Sequence, residues 1–417
     1  MSALWGAYRL MAPVLGAVAP AAGVFTSPRE RELWNERLGR VDMAGGCHAW
    51  VHAASLGEAA AVAPLLRELG LVQPDARFWL TSTTRTGRER LAVNGRPVSL
   101  APIDSPQATR RFFAGVQPER VFLIETELWP HWLLHARALG LPVAVVSARL
   151  SERSVRRYRG LGPGMRSLVR GLDAVLCQGD ADERRWLEIG AEPQKTCVVG
   201  NLKSDGLPQP AADRAIAKAA QGLDPERPVL VFGSVRPGEG LMLARAWTAL
   251  PESLKASWQV VAVPRHPRAL DELRAEAATV LPRTGASGGN GGDGGWHWDD
   301  RMGVLVDWYR AADVAFVGGS LVPLGGHNPL EPAVCGAAVL IGPHHASQRD
   351  YVQALGAARG IVIAGAGEAL REALRELLAD PAERARCAAA GQGVARAQMG
   401  AAARAVRALV DRGLWPA

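Results

Sequence analysis

The features missing from this sequence narrow it first. Its five cysteines, Cys47, Cys177, Cys197, Cys335 and Cys387, are odd in number and widely scattered. With no C-x-x-C pair and no Cys/His cluster at ligand spacing, they argue against a disulfide framework or a zinc module and for reduced thiols in a cytosolic setting. The charge-free stretch Leu10–Phe25 is broken by Pro13 and Pro20 and falls short of the roughly 20 residues a spanning helix needs. It also makes a poor signal peptide, because the residues before it offer only Arg9 and the α-amino group as charge. No repeat of fixed period is visible, and no glycine-rich loop ends in the Gly-Lys-Ser/Thr of a Walker motif. The arginines are dispersed, with no basic platform interleaved with aromatics, so a nucleic-acid partner is not indicated.

What remains is an ordinary folded chain. Its 417 residues allow two or three domains at roughly 150 residues each. A content of 48% hydrophobic and 21% charged residues fits neither a disordered chain nor a many-helix membrane protein. Lysine and arginine number 48 against 41 acidic residues, a net charge of +7 that suits an anionic partner without choosing among phosphate, nucleic acid and membrane. Residues 1–40 stand apart. Trp5 and Tyr8 precede the apolar stretch and Arg29, Arg31, Arg37 and Arg40 follow it, a pattern that predicts a segment lying in the headgroup layer of an anionic membrane. A helix packed on its own domain is the alternative.

From about Cys47, short β-rich runs alternate with helix-like segments, the pattern of parallel sheets covered by helices. His48–Ala54, Phe78–Thr83, Val98–Ile103, Val121–Glu125 and Val143–Ser147 read as strands, with Glu58–Leu69 and Pro106–Gly115 among the helices between them. Residues 41–205 thus form one Rossmann-like domain. After the polar, Ala-rich 204–227 the pattern restarts at Val229–Phe232, Gln259–Val263, Val314–Val317 and Ala338–Ile341, giving a second α/β domain over 206–417 with a helical tail. Gly285–Gly295 reads as a surface loop. Sheets of this kind bind ligands at the carboxyl ends of their strands, so function is expected in the βα loops, facing a cleft between the two domains.

Several such loops carry chemistry. Ala54-Ser55-Leu56-Gly57-Glu58 follows a strand and opens a helix; Glu58 is placed either as a general base or as the third residue of a capping box on Ser55. In Glu125-Thr126-Glu127-Leu128-Trp129-Pro130, strand alternation puts both glutamates on one side, costly unless a function or an arginine pairs them. Lys203, in Gly200-Asn201-Leu202-Lys203-Ser204-Asp205, offers a point charge to a developing anion or is a solvated lysine. In the second domain, Arg236 in 233–239 and Arg265 in Pro264-Arg265-His266-Pro267 both leave strands and suit a phosphate. Gly318-Gly319-Ser320 and Gly325-Gly326-His327-Asn328-Pro329-Leu330-Glu331-Pro332 pair glycines that admit a close ligand with a helix capped by Asn328, started by Pro329 and carrying Glu331 in its first turn. Glu331 is placed to accept hydrogen bonds from ribose hydroxyls. A plain glycine-rich turn before a capped helix is the alternative.

Taken together and in this order, Ala-Ser-Leu-Gly-Glu at 54–58, Glu-Thr-Glu-Leu-Trp-Pro at 125–130, Ser-Ala-Arg-Leu-Ser at 147–151, Gly-Asn-Leu-Lys-Ser-Asp at 200–205, Pro-Arg-His-Pro at 264–267 and Gly-Gly-His-Asn-Pro-Leu-Glu-Pro at 325–332 resemble the motifs of the bacterial 3-deoxy-D-manno-octulosonic-acid (Kdo) transferases of lipopolysaccharide synthesis. The resemblance covers nearly the whole chain. It implies a GT-B glycosyltransferase with an acceptor-binding N-terminal domain and a CMP-Kdo-binding C-terminal domain, inverting at the anomeric carbon with neither metal nor cofactor. By the same resemblance Glu58 is the base that deprotonates a hydroxyl of a lipid A precursor. Glu125, ahead of Glu127, and Lys203 stabilise the transition state. Pro264 and Arg265, Met302-Gly303-Val304, and Asn328, Pro329, Leu330 and Glu331 hold CMP. The resemblance also implies monotopic attachment to the cytoplasmic face of the inner membrane.

The chain departs from the family at two places. Val235-Arg236-Pro237-Gly238-Glu239-Gly240 stands where the family has a Thr-His-Glu-Gly-Glu-Glu-like loop, so a hydroxyl and an imidazole give way to a guanidinium. Val304 replaces the glutamate of the usual Met-Gly-Glu, and the Gly-rich stretch before it reads as an insertion. Other readings are a GT-B enzyme using a UDP-sugar, such as a lipid A disaccharide synthase or a UDP-sugar 2-epimerase, and a catalytically silent membrane-bound scaffold. The joint presence of Glu58, Glu125 and Lys203 argues against the scaffold.

Overall fold

The computed structural model describes residues 6, 8, 11–14, 28–93, 95–281 and 295–417. The expected headgroup segment around Leu10–Phe25 and the Gly285–Gly295 loop fall almost wholly outside them. No helix among the described residues is long and apolar enough to cross a membrane. The chain divides into two units, one running to Gly206 and taking up Gln398–Ala417, the other spanning Leu207–Ala397.

The first unit holds seven strands, β1 (Ala49–His52), β2 (Phe78–Ser82), β3 (Val98–Leu100), β4 (Val121–Ile124), β5 (Val143–Ala148), β6 (Ala174–Cys177) and β7 (Thr196–Val198). They lie in the order β3-β2-β1-β4-β5-β6-β7, every pair parallel. This is a doubly wound sheet whose strand order reverses between β1 and β4. Both faces are covered, so the strands are buried almost throughout and read as continuous apolar runs. Trp50 packs with Phe112, Phe113 and Trp132 on one face, and Val51, Phe78 and Phe122 join Ala405 and Leu409 on the other.

That last contact explains a difference from the sequence reading, which ran the second domain to the C-terminus. The helix Ala401–Asp411 instead packs against the first sheet. Asp205 accepts the N–H groups of Ala401 and Ala402 and so caps it. Arg37, expected among headgroup-facing arginines, turns inward. It donates to the carbonyl of Thr83, and burial lowers its pKa. The neighbouring Glu36 accepts from Arg88 and from the N–H of Leu100, so the helix Pro28–Arg37 is stitched to the sheet at this end.

The second unit repeats the plan with β8 (Val229–Val235), β9 (Gln259–Pro264), β10 (Trp296–Trp298), β11 (Val314–Val317), β12 (Ala338–Ile341) and β13 (Ile361–Ile363). Their order is β10-β9-β8-β11-β12-β13, again all parallel, and the reversal falls between β8 and β11. Leu230, Phe232, Val314, Phe316 and Leu340 form its core with Leu243, Leu273, Leu374 and Leu377 of the covering helices. Burying each such side chain contributes about 1.5–3 kcal/mol.

Candidate active site

Glu58 stands at the first turn of the helix Leu56–Val72, which leaves the carboxyl end of β1. Its entry is a capping box. Ser55 Oγ accepts the Glu58 N–H at 3.3 Å, and the Glu58 carboxylate accepts Ala54 N–H at 2.8 Å and Ser55 Oγ–H at 3.1 Å. The cap is real, and it also aims the carboxylate. Burial pushes the Glu58 pKa up to about 7, opposed by the Ala54 N–H and reinforced by the negative charges of Glu125 and Glu127.

Glu125 reaches the same place from β4, across the point where the strand order reverses. The alternation argument that put Glu125 and Glu127 on one side does not hold, because β4 ends at Ile124 and Glu125 takes a left-handed conformation with φ 63°. The two carboxylates therefore find different partners, although both act on Glu58. Glu125 pairs with Lys203 Nζ at 2.5 Å. Glu127 accepts Trp129 Nε1–H at 2.6 Å and lies 3.6 Å from His52 Nε2.

Lys203 comes from 78 residues further along the chain. After β7 the chain turns at Gly200, whose φ of 96° favours glycine, and enters the 3-10 turn Leu202–Gly206. Asn201 Oδ1 accepts the N–H of Lys203 at 3.0 Å. Ser147 Oγ accepts that of Leu202 at 3.3 Å and is itself held by Gln178. Ser147, in the Ser-Ala-Arg-Leu-Ser motif, thus props the lysine-bearing turn.

Sequence reasoning missed His52. It is fully buried at the end of β1, its Nδ1 2.8 Å from Thr81 Oγ1, which also accepts Trp50 Nε1–H at 2.7 Å. The available signal was a period of two: Trp50 and His52 share a face of β1, two residues before the Ala54–Glu58 motif.

In the second unit the loops at the matching place carry positive charge. Arg236 follows β8 and Arg265 follows β9, the Arg265 N–H donating to the carbonyl of Val235 at 3.0 Å. His327 lies beside them; burial, then Arg265, Arg236 and His266, push its pKa down to about 4. Gly319 has φ 69°, and a Cβ there would sit 3.2 Å from the His327 ring, so glycine is needed for this approach. Glu331 is raised by burial, against the opposing pull of Asn328 and Arg265. The helix starts at Leu330, with Pro329 one position earlier than expected. Asn328 Oδ1 still accepts the Leu330 N–H at 3.1 Å, and its Nδ2 donates to Glu331 at 3.4 Å.

Met302, Gly303 and Val304 precede the helix Leu305–Ala311, with Met302 exposed. Val304 lines a 680 Å³ cavity with Arg274, His297, Asp299, Asp300 and Arg301. Tyr309 of that helix is wholly buried, and burial raises its pKa, with the negative charge of Glu331 adding to it. Glu239, given no role by the sequence, is buried at the start of the helix after β8. It accepts the N–H groups of Arg236, Gly319, Ser320 and Leu321 at 2.8–2.9 Å, tying the β8 loop to the β11 loop.

Two doubly wound α/β units of this kind define the GT-B class of glycosyltransferase fold. UDP-GlcNAc 2-epimerase from Neisseria meningitidis, solved with UDP-GlcNAc, superposes with a TM-score of 0.59 at 14% identity over 87% of this chain and 99% of that one. At such identity the likeness is one of fold. A family model described as 3-deoxy-D-manno-octulosonic-acid transferase matches residues 32–206. The 3-deoxy-D-manno-octulosonic acid transferase of Bordetella pertussis is 39% identical over 378 residues, 87% of this chain and 86% of that one. That of Haemophilus influenzae is 31% identical over 387 residues, 90% of each chain. The chain belongs to the Kdo transferases.

Proposed function

We propose that this glycosyltransferase moves Kdo from CMP-Kdo to a hydroxyl of a lipid A precursor, with inversion and without a metal, at the inner membrane's cytoplasmic face. The observation that carries the reading is the meeting of Glu58, Glu125 and Lys203 at the strand-order reversal of the first sheet. Glu58 takes the acceptor's proton as its oxygen bonds to the anomeric carbon. The bond from that carbon to the CMP phosphate breaks, and its electron pair leaves with CMP. A base with a pKa near 7 is matched to this transfer at neutral pH. Lys203, held by Glu125, offers positive charge to the anion that develops. Arg265 and Arg236, together with the loops opening at Gly318, suit the CMP phosphate, and Asn328 and Glu331 suit its ribose. Pro264, Met302, Gly303, Val304, Pro329 and Leu330 complete the nucleotide segments. The +7 net charge suits an anionic membrane surface and a phosphorylated acceptor.

The test is transfer from CMP-Kdo generated in situ to a tetraacylated lipid A precursor, read by mass spectrometry of the lipid. Glu58→Ala is expected to lose at least roughly 10²-fold in rate while folding as wild type. Because the carboxylate works as a base only when ionised, wild-type kcat/KM should rise with pH through about 7. An unmodified lipid together with turnover of a UDP-sugar would sink the donor assignment.

A further inference from the structure

Behind the carboxylates runs a chain of side chains that the reaction as described does not use. Trp50 Nε1–H donates to Thr81 Oγ1, and that hydroxyl lies 2.8 Å from Nδ1 of His52, to which it can donate its own proton. With the hydroxyl donating to Nδ1, the ring proton of His52 sits on Nε2, the side toward Glu127. Nε2 lies 3.6 Å from Glu127 Oε2 and 3.5 Å from Thr83 Oγ1. At that length the contact with Glu127 is one between an ion and a dipole rather than a full hydrogen bond. His52 cannot drift, being wholly buried and edge-on to Trp132 with ring centroids 4.9 Å apart. Trp129 Nε1 supplies the short hydrogen bond, and Arg157 and Tyr158 face Glu127 from the helix Glu152–Gly160.

We propose that His52 and Glu127 are a positioning pair for the transfer reaction: His52, braced by Thr81 and Trp50, holds the Glu127 carboxylate charged and fixed toward Glu58, and Glu127 itself takes no proton. The proposal rests on Glu58 being the base. Although burial works to raise the Glu127 pKa, the His52 and Trp129 donors and Arg157 bring it below its ordinary value, so Glu127 stays anionic across the working range. Its charge then adds to that of Glu125 in making Glu58 bind a proton more readily. Glu125 is itself paired with Lys203, whereas Glu127 meets His52, Trp129 and the more distant Arg157. Three carboxylates in one place are expensive, and this geometry gives each a separate task.

The test is the pH profile of kcat/KM for the full-length enzyme, comparing wild type with Glu127→Gln, His52→Ala, His52→Gln and Glu58→Gln. Glu127→Gln keeps an oxygen for Trp129 and removes only the charge. Its acidic limb should move down by roughly 0.5–1 pH unit. His52→Ala should move the limb the same way by less, and His52→Gln, which restores an N–H near the Nε2 position, should move it back. A purely structural role would lower the rate without moving the limb. A Glu127→Gln limb within about 0.2 unit of wild type overturns the proposal, and that variant, being isosteric and near the surface, decides the matter even if His52→Ala does not fold. If instead Glu58→Gln keeps more than about a tenth of the wild-type rate, the base assignment fails, a separate result.

Discussion

Glu58 and Glu239 occupy the same topological place in the two sheets, the first turn of the helix that follows the strand beside the reversal point, and they do opposite work. Glu239 has no exposed surface and accepts four backbone N–H groups. Every oxygen is satisfied, so it can only brace the β8 and β11 loops. Glu58 accepts one backbone N–H and one hydroxyl, remains partly open to solvent, and faces two other carboxylates. Burial raises the proton affinity of both carboxylates, but only at Glu58 do neighbouring carboxylates add to it and can a proton arrive from solvent. The shared fold fixes where a first-turn carboxylate sits; the number of donors around it decides whether it serves as a fastener or as a base.

The charge around the two positions differs as sharply. The first unit gathers Glu58, Glu125 and Glu127 about one lysine, and the second gathers Arg236, Arg265, His266 and His327. The first setting suits taking a proton, the second holding a phosphate. If that division is right, damage to one unit should spare the other's task. Lys203→Ala tests this with the largest effect, since it removes the cation and leaves Glu125 unpaired. The expected loss in kcat is roughly 10²-fold with CMP affinity unchanged by calorimetry; a loss confined to CMP affinity would merge the two roles.

Arg236→Ala sharpens the comparison from the other side. Here KM for the donor should rise roughly 10-fold with kcat little changed, as for a lost charge-assisted contact. The sign on His327 follows from the same charge: a neighbouring cation disfavours the imidazolium, so its removal should lift the His327 pKa from about 4 toward the ordinary value. Histidine proton NMR over a pH series reads this directly. An unmoved His327 would mean that burial, Arg265 and His266 set it and that Arg236 points elsewhere.

The strands that carry these residues were legible where an apolar or β-branched run stood out from its flanks. Phe78–Ser82, Val143–Ala148, Val314–Val317 and Ala338–Ile341 stand out as β-branched or apolar runs. Ala174–Cys177, Trp296–Trp298 and Ile361–Ile363 were not named; the last two are three-residue strands at the sheet edge, and all three owe their extended form to a parallel neighbour. Glu58 and Lys203 were visible as residue types in ordered motifs. Their meeting with Glu125 followed from the family resemblance and not from residue spacing, because it depends on a left-handed residue after β4 and a turn propped by Ser147. His52 stayed hidden inside an apolar strand, where a buried histidine is ordinarily a core residue.

The C-terminal helix yields the smallest and most local effect. Asp205 stands two residues after Lys203 and caps Ala401–Asp411 through two N–H groups. The carboxylate also meets the positive end of the helix dipole, so Asp205→Ala should cost about 1–2 kcal/mol of stability. Only the first unit should feel it, because that helix packs on Phe78, Phe122 and their neighbours, with Trp415 stacked on Phe78 at 5.7 Å. Since the Lys203 turn is also anchored at its other end by Ser147 and Asn201, kcat should fall far less than for Lys203→Ala. Thermal unfolding followed by tryptophan fluorescence, alongside the transfer assay, separates the two. A loss of transfer as large as that of Lys203→Ala, with unfolding unchanged, would mean that Asp205 aims the lysine rather than fastening the tail.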